Sequence, residues 1–218
     1  MNDLYYGNIS KENLRYLDVK NDFTNYFNEF SMIPYPNFFE SLEENESILK
    51  VQQRAESNKD WEKIKEFCFL WDESYIKALE ISLAKLNIPF DKAYLEYLGN
   101  ISEELGALIM QLKNQYQRAR PYQYALYGNQ KLNPYTTFSG NTPSYPSGHA
   151  CSIYFIGKIL CFHYEEKEEE INKLISQVIE SRIILGLHFK SDNNFGLEIA
   201  KTLLEKEDIK KKYFDEND

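Results

Sequence analysis

An all-α fold is what this sequence predicts, and two observations carry the prediction. Apolar residues recur at three- and four-residue spacing in one segment after another. No stretch alternates apolar and polar residues with the period of two that a half-buried strand requires. The expected architecture is a compact helical bundle in which three short motifs converge at one end of the helix core. With 218 residues and 43% hydrophobic content the chain can bury one sizeable core. Three parts are expected: an irregular arm over 1–36 that packs its Tyr and Phe residues on the body, a single helical domain over 37–204, and a charged, frayed tail over 205–218.

Taken in order, Ile33-Pro34-Tyr35-Pro36 is an extended entry. Phe38, Leu42, Ile48 and Val51 then mark a helix from Asn37 to about Ser57. Asn58-Lys59-Asp60 starts a second helix at Trp61 that runs to about Leu86 with a break expected near Asp72. Asp91 caps the next helix. Gly99-Asn100 is expected to interrupt it, with Asn100 and Glu103 forming a new capping box. The helix that follows carries Ile101, Leu105, Leu108, Ile109 and Leu112 on one face. Residues 122–145 read as a long loop rich in Tyr, Pro, Gly and Asn. Such a loop is usually functional or disordered, and here it is expected to form a pocket rim. Its Tyr122, Tyr124, Tyr127, Tyr135 and Phe138 can stack on a ligand or simply pack the loop onto the body. Helices are then expected from Gly148 towards Tyr164, over the stripe Ile171, Ile175, Val178, Arg182 and Leu185, and from Asn193 through Leu204.

The chemistry concentrates in three places. Lys113 and Arg120 are seven residues apart, which on a continuous helix puts them on one face about 10 Å apart. Pro121 disfavours helical geometry at Arg120 and so places it at the helix end. Arg118 is expected to point elsewhere, as a surface charge. Pro146-Ser147-Gly148-His149 opens a helix whose free amides suit an anion, with Gly148 allowing close approach and Ser147 offering a hydroxyl. Arg182 occupies a stripe position where the pattern asks for Leu, and a buried cation needs an anion, either a bound one or a structural carboxylate. Gly186 is expected to loosen the chain before His188. His188 and Asp192 are four residues apart and can touch, with Asp192 accepting from Nδ1–H and leaving Nε2 free. Three cations, two imidazoles, a hydroxyl and a glycine-containing helix start together suit a tetrahedral oxyanion, read here as phosphate.

Lys113-x6-Arg120-Pro121, Pro146-Ser147-Gly148-His149 and Ser181-Arg182-x5-His188-x3-Asp192 resemble the three signature motifs of the type 2 phosphatidic acid phosphatase and vanadium haloperoxidase superfamily, with every signature position filled in order. Within it, the chain length and the run Ser144-Tyr145-Pro146-Ser147-Gly148-His149 most resemble the class A bacterial non-specific acid phosphatases. The resemblance implies a phosphoric monoester hydrolase of the acid phosphatase type that works through a phosphohistidine without a metal or cofactor. Lys113, Arg120, Ser147, Gly148 and Arg182 would hold phosphate, His188 would attack, His149 would serve as acid and base, and Asp192 would orient His188. Vanadate is expected as an inhibitor, or as the cofactor if the chain is instead a haloperoxidase. A non-catalytic phosphate- or nucleotide-binding protein is a third reading, against which the intact His188, His149 and Asp192 speak.

The expected partner is a small-molecule phosphomonoester whose identity the motifs do not name. A net charge of −9 speaks against nucleic acid. The residues after Met1 lack a basic start and an apolar run, and the most apolar stretch, 150–164, falls short of a membrane span. A cytoplasmic protein with no membrane span is therefore expected, of unspecified oligomeric state. Cys68, Cys151 and Cys161 lack metal-ligand spacing and read as buried reduced thiols, and His163 matches no motif and reads as structural.

Overall fold

The computed structural model describes residues 4–7, 11–133, 135, 137 and 139–214, with the side chains of residues 11 and 12 left aside. The described residues are helical with a single isolated bridge, between Tyr5 and Arg118, and the all-α prediction holds. The elements are α1 (Lys11–Leu14), α2 (Phe27–Phe30), α3 (Phe38–Glu56), α4 (Trp61–Glu73), α5 (Tyr75–Lys85), α6 (Lys92–Tyr116), α7 (Pro121–Tyr127), α8 (Gly148–His163), α9 (Glu168–Ile184), α10 (Lys190–Leu204) and α11 (Glu207–Tyr213). No described helix is long and apolar enough to cross a membrane.

The core is organised around α8, which is apolar nearly all round and so must be buried on every side. It lies against α10, α9 and α6. Its Ile153, Phe155, Ile156 and Ile159 are fully buried beside Leu105 and Leu108 of α6, Val178 of α9 and Ile199 of α10. The start of α8 meets α10 at Gly196, where an added Cβ would stand 2.4 Å from the Ser147 carbonyl oxygen. Only glycine permits that approach, and it is this approach that brings the second motif against the third.

Local signals place the other helices. Asn37 accepts from the amides of Phe39 and Glu40 at 3.0 and 3.2 Å, and Glu40 reaches back to the Asn37 amide at 2.8 Å, a complete capping box. The break expected near Asp72 falls at Ser74. The interruption expected at Gly99-Asn100 does not occur. α6 runs unbroken from the Asp91 cap to Tyr116, because tertiary packing overrides the local signal there: the Ile76 side chain of α5 occupies the space beside Gly99.

Two further expectations are corrected. α6 stops at Tyr116, with Gln117 in the left-handed region at φ 53°, so Lys113 and Arg120 do not share one helical face. Beyond that turn the chain pairs with the arm around the Tyr5–Arg118 bridge, with Tyr6 N–H donating to the Gln117 carbonyl (2.8 Å) and Ala119 N–H to the Leu4 carbonyl (3.2 Å). Residues 122–145 are not a continuous loop, since Pro121 takes the first position of α7, where its missing N–H costs nothing. Nor does the chain fray throughout after Leu204: α11 folds back and buries Ile209 and Tyr213 in the core.

Candidate active site

Asp192 is the point at which the three motifs meet. It lies in the first turn of α10, fully buried. Its Oδ2 accepts from the His188 ring at Nδ1 (3.2 Å), from the Phe189 amide (2.8 Å) and from the Ser144 hydroxyl. Its Oδ1 accepts from Arg118 at 2.6 Å, and its backbone carbonyl accepts from the Ser147 amide at 3.0 Å. Burial alone would raise the Asp192 carboxyl, but the Arg118 guanidinium and the bonds from His188 and Ser144 outweigh it and hold the group below the usual carboxylate range.

The His188 backbone follows Gly186, which adopts φ 67° and ends α9, as the loosening expected there requires. The ring is held from both sides. Arg120 Nη1 stands 3.1 Å from Nε2. A guanidinium only donates, so Nε2 presents its lone pair and the ring hydrogen lies on Nδ1, facing Asp192. Burial, then the Arg120 cation, keeps the His188 ring well below its ordinary pKa and therefore neutral.

Arg120 is fully enclosed, and its acceptors are neutral. Nε donates to the Thr142 carbonyl (2.7 Å), Nη1 to the Leu187 carbonyl (2.7 Å) as well as to His188, and Nη2 to the Ser139 carbonyl and the Thr142 hydroxyl (both 2.9 Å). All five N–H groups are engaged and none meets a carboxylate. Lys113, also buried, donates to the Pro143 carbonyl and, at 3.5 Å, to that of Ser144. Burial, then the neighbouring Arg120, draws the Lys113 pKa well down. Two buried cations thus share a site whose hydrogen-bond acceptors are all neutral.

Arg182 behaves differently. Nη1 donates to Asp72 of α4 at 3.0 Å, Nη2 to the Cys68 carbonyl at 2.9 Å and Nε to the Ser181 hydroxyl at 3.0 Å. The anion its burial calls for is a structural carboxylate. These three bonds leave two of its five N–H groups for another acceptor. Asp72 also accepts from the Ser139 hydroxyl, which links Arg182 through Asp72 and Ser139 to Arg120.

Ser147 caps α8, accepting from the Ala150 amide at 3.4 Å, and follows a cis Tyr145–Pro146 bond. Gly148 opens the helix with Ile109 close against it. His149 is half-buried, its Nε2 2.9 Å from the Trp71 carbonyl. A carbonyl only accepts, so Nε2 carries the hydrogen and Nδ1 is the nitrogen that exchanges protons. Burial, then the Arg182 cation, draws the ring down to about 3.

The structure corrects one reading outright. Arg118 is not a surface charge but one of the most deeply buried side chains, bonded to Asp192, Ser191, Ser41 and Glu44. Helical spacing misplaced it because the helix ends before it. Asp72 was also missed, although a lone acid in the run Phe67-Cys68-Phe69-Leu70-Trp71-Asp72 signals a buried carboxylate. Of the loop aromatics, Tyr124 packs on Phe38 and Phe189, and Tyr135 on Trp61 and Phe69, while Tyr127 is exposed. Tyr122 pairs with Tyr6 of the arm beside Arg120, and Phe138 lies outside the described residues. The three cysteines are free and buried, and His163 is exposed at the end of α8, apart from the site.

Residues 98–204 match the model of the PAP2 superfamily, a stretch that contains all three motifs and leaves out α3 and α4. The match supports placing the chain in that superfamily. No curated protein matches the chain.

Proposed function

We propose, with the PAP2 superfamily match as premise, that this chain is a metal-independent acid phosphatase that hydrolyses phosphomonoesters through a phosphohistidine on His188. The observation that carries the reading is the pair Lys113 and Arg120: two buried cations, bonded to carbonyls and a hydroxyl, with the Nε2 lone pair of an imidazole facing Arg120. A buried charge without a counter-charge is costly, and an anionic ligand supplies the compensation.

In the first step phosphate oxygens replace the Ser139, Thr142, Leu187 and Pro143 acceptors on Arg120 and Lys113, while Arg182 adds its two remaining N–H groups without leaving Asp72. The fixed cations stabilise charge on the equatorial oxygens, which is most of the catalytic work in phosphoryl transfer. The Nε2 lone pair of His188 bonds to phosphorus. The bond to the ester oxygen breaks, and that oxygen leaves with the electron pair and takes a proton from His149 Nδ1. The His188 ring is now cationic and keeps Nδ1–H on Asp192. In the second step neutral His149 takes a proton from water as its oxygen bonds to phosphorus, the P–N bond breaks, and phosphate departs.

His149 is neutral through the mildly acidic range in the free protein, since its pKa is about 3. Its role as acid therefore depends on the negative charge of bound substrate raising that value. The test is hydrolysis of an aryl phosphate in EDTA, with and without vanadate, beside His188→Ala. Turnover that vanadate blocks and the variant lacks is expected, with acid-labile phosphate trapped on the wild-type protein. Equal turnover by His188→Ala, or none between about pH 4 and 8, overturns the reading. Bromide oxidation by the vanadate-loaded protein in place of hydrolysis would assign the haloperoxidase chemistry instead.

A further inference from the structure

The geometry points to Glu44 and Arg118 as a positioning pair that acts on the nucleophile through Asp192. The inference rests on the histidine-nucleophile reading above and extends it to α3, outside the matched 98–204 stretch.

Arg118 touches neither His188 nor the space beside Nε2. It grips the carboxylate that holds His188. Nη1 donates to Asp192 Oδ1 at 2.6 Å and to the Ser191 hydroxyl at 2.7 Å, and Nη2 donates to Ser41 Oγ at 2.9 Å and Glu44 Oε2 at 3.1 Å. The guanidinium lies 4.0 Å over the Phe189 ring, with Tyr35 at 5.3 Å. Glu44 in turn accepts from the Ser191 amide at 2.9 Å and hydroxyl at 2.6 Å, so it binds α3 to the first turn of α10, from which Asp192 projects.

Two consequences follow for His188. The torsion that turns a carboxylate about its own bond is soft. Arg118 on Oδ1, together with the Phe189 amide and the Ser144 hydroxyl beside His188 on Oδ2, fixes that torsion and with it the line along which the imidazole points. Charge is also arranged for the intermediate rather than for the resting state. Glu44, Arg118 and Asp192 sum to one negative charge at rest, so the positive charge the imidazole gains on phosphorylation develops against an anion already in place. A field already set up for a charge that appears during reaction lowers its barrier. A bare Asp192–His188 pair would have the same proton geometry and neither of these properties.

The test uses Glu44→Gln, which keeps the shape and removes the charge, and Arg118→Lys, which keeps the charge and removes the fork. Glu43→Gln, an exposed neighbour on α3, is the control. With the aryl phosphate, kcat is expected to fall about 10-fold in Glu44→Gln and about 100-fold in Arg118→Lys, with KM within about 3-fold, because misorientation of a reacting group acts on the chemical step. The second readout does not need activity. In ¹H–¹⁵N spectra of the histidines of the protein, whose three histidines are assigned by deletion, His188 keeps the Nδ1–H tautomer that Arg120 imposes, and its Nδ1–H resonance is expected to shift upfield in both variants as its alignment on Asp192 loosens. Wild-type kcat in both variants, or an unshifted Nδ1–H resonance in both, overturns the inference. Should Arg118→Lys not fold, Glu44→Gln decides alone. Should the wild type lack phosphatase activity, that earlier reading fails while the Nδ1–H resonance still decides this one.

Discussion

Arg118 and Arg120 are two residues apart and equally buried, yet they face opposite surroundings. Arg118 meets two carboxylates, Asp192 and Glu44, whereas Arg120 meets carbonyls, a hydroxyl and a neutral imidazole. The same contrast separates Arg182, paired with Asp72, from Lys113, which has only carbonyls. Burial costs each cation its hydration. Two recover it within the fold and two recover only part of it. The paired cations hold the site together, and the incompletely compensated ones are those that the proposed phosphatase reading makes its working charges. The motif pattern alone groups Lys113, Arg120 and Arg182 as equivalent ligands; the contacts divide them.

The largest effect that sharpens this division is on stability. Arg182→Met leaves Asp72 buried without its cation and is expected to cost about 3–5 kcal/mol. Arg120→Met strands no carboxylate, so its cost is expected to be well below that, while turnover of an aryl phosphate falls at least about 1000-fold. Chemical denaturation of the two variants beside the activity assay checks both halves. If Arg120→Met destabilises as much as Arg182→Met, Arg120 is structural and the division breaks down.

Anion binding tests the same division from the ligand's side. Orthovanadate is expected to raise the melting temperature of the wild type, by an amount equivalent to about 2.7 kcal/mol at a hundredfold excess over its Kd. Arg120→Met should lose most of that gain. A glutamate at exposed Lys50 of α3 supplies the comparison for long-range charge, and should retain the gain. A gain that survives Arg120→Met would place the anion elsewhere.

The imidazoles carry the contrast into pH. The folded pKa of His149 is about 3, through burial and then the Arg182 cation, while an unfolded histidine titrates near ~6.5. Between those values the unfolded chain binds more protons than the folded one. Stability from keeping His149 neutral is thus complete above about pH 6.5 and is lost as pH falls towards 3. His188 shifts the same way. Asp192, also lowered, begins to lose its contribution only as pH falls below about 3.9, the unfolded value. Melting temperature is expected to decline from pH 7 to 4, less steeply in His149→Gln, and less steeply in the wild type when phosphate is bound. Equal slopes for His149→Gln and the wild type would mean that His149 is not held neutral.

Much of this was legible in the sequence. The helix at Phe38, the break beyond Asp72 and the turn at Gly186 all follow from side chains acting within a few residues of themselves. So does the contact of His188 with Asp192, four residues on. What was not legible depends on partners far along the chain. Gly99 and Asn100 look like a helix stop until Ile76 of α5 is placed beside them. Arg118 looks like surface until Gln117 turns left-handed and the arm residues Leu4 and Tyr6 draw the next residues into extended pairing. The Asp72–Arg182 pair joins residues 110 positions apart, and only the buried setting of each one hints at the other.

The smallest expected effect isolates burial from distance. Arg54 of α3 and Glu180 of α9 approach to 2.8 Å, closer than the 3.0 Å of Arg182 and Asp72, and Glu180 is only two residues from Arg182. The Arg54 and Glu180 side chains are 75% and 50% exposed, whereas those of Arg182 and Asp72 are fully enclosed. Water and salt screen the exposed pair and rehydrate either partner when the other is removed. Arg54→Met is therefore expected to change stability by no more than about 0.5 kcal/mol, with even that fading at high salt. Enclosure rather than ion-pair length would then account for the cost of Arg182→Met. A loss from Arg54→Met comparable to that of Arg182→Met would show that the α3–α9 contact itself, and not the absence of water around a charge, sets what these cations contribute.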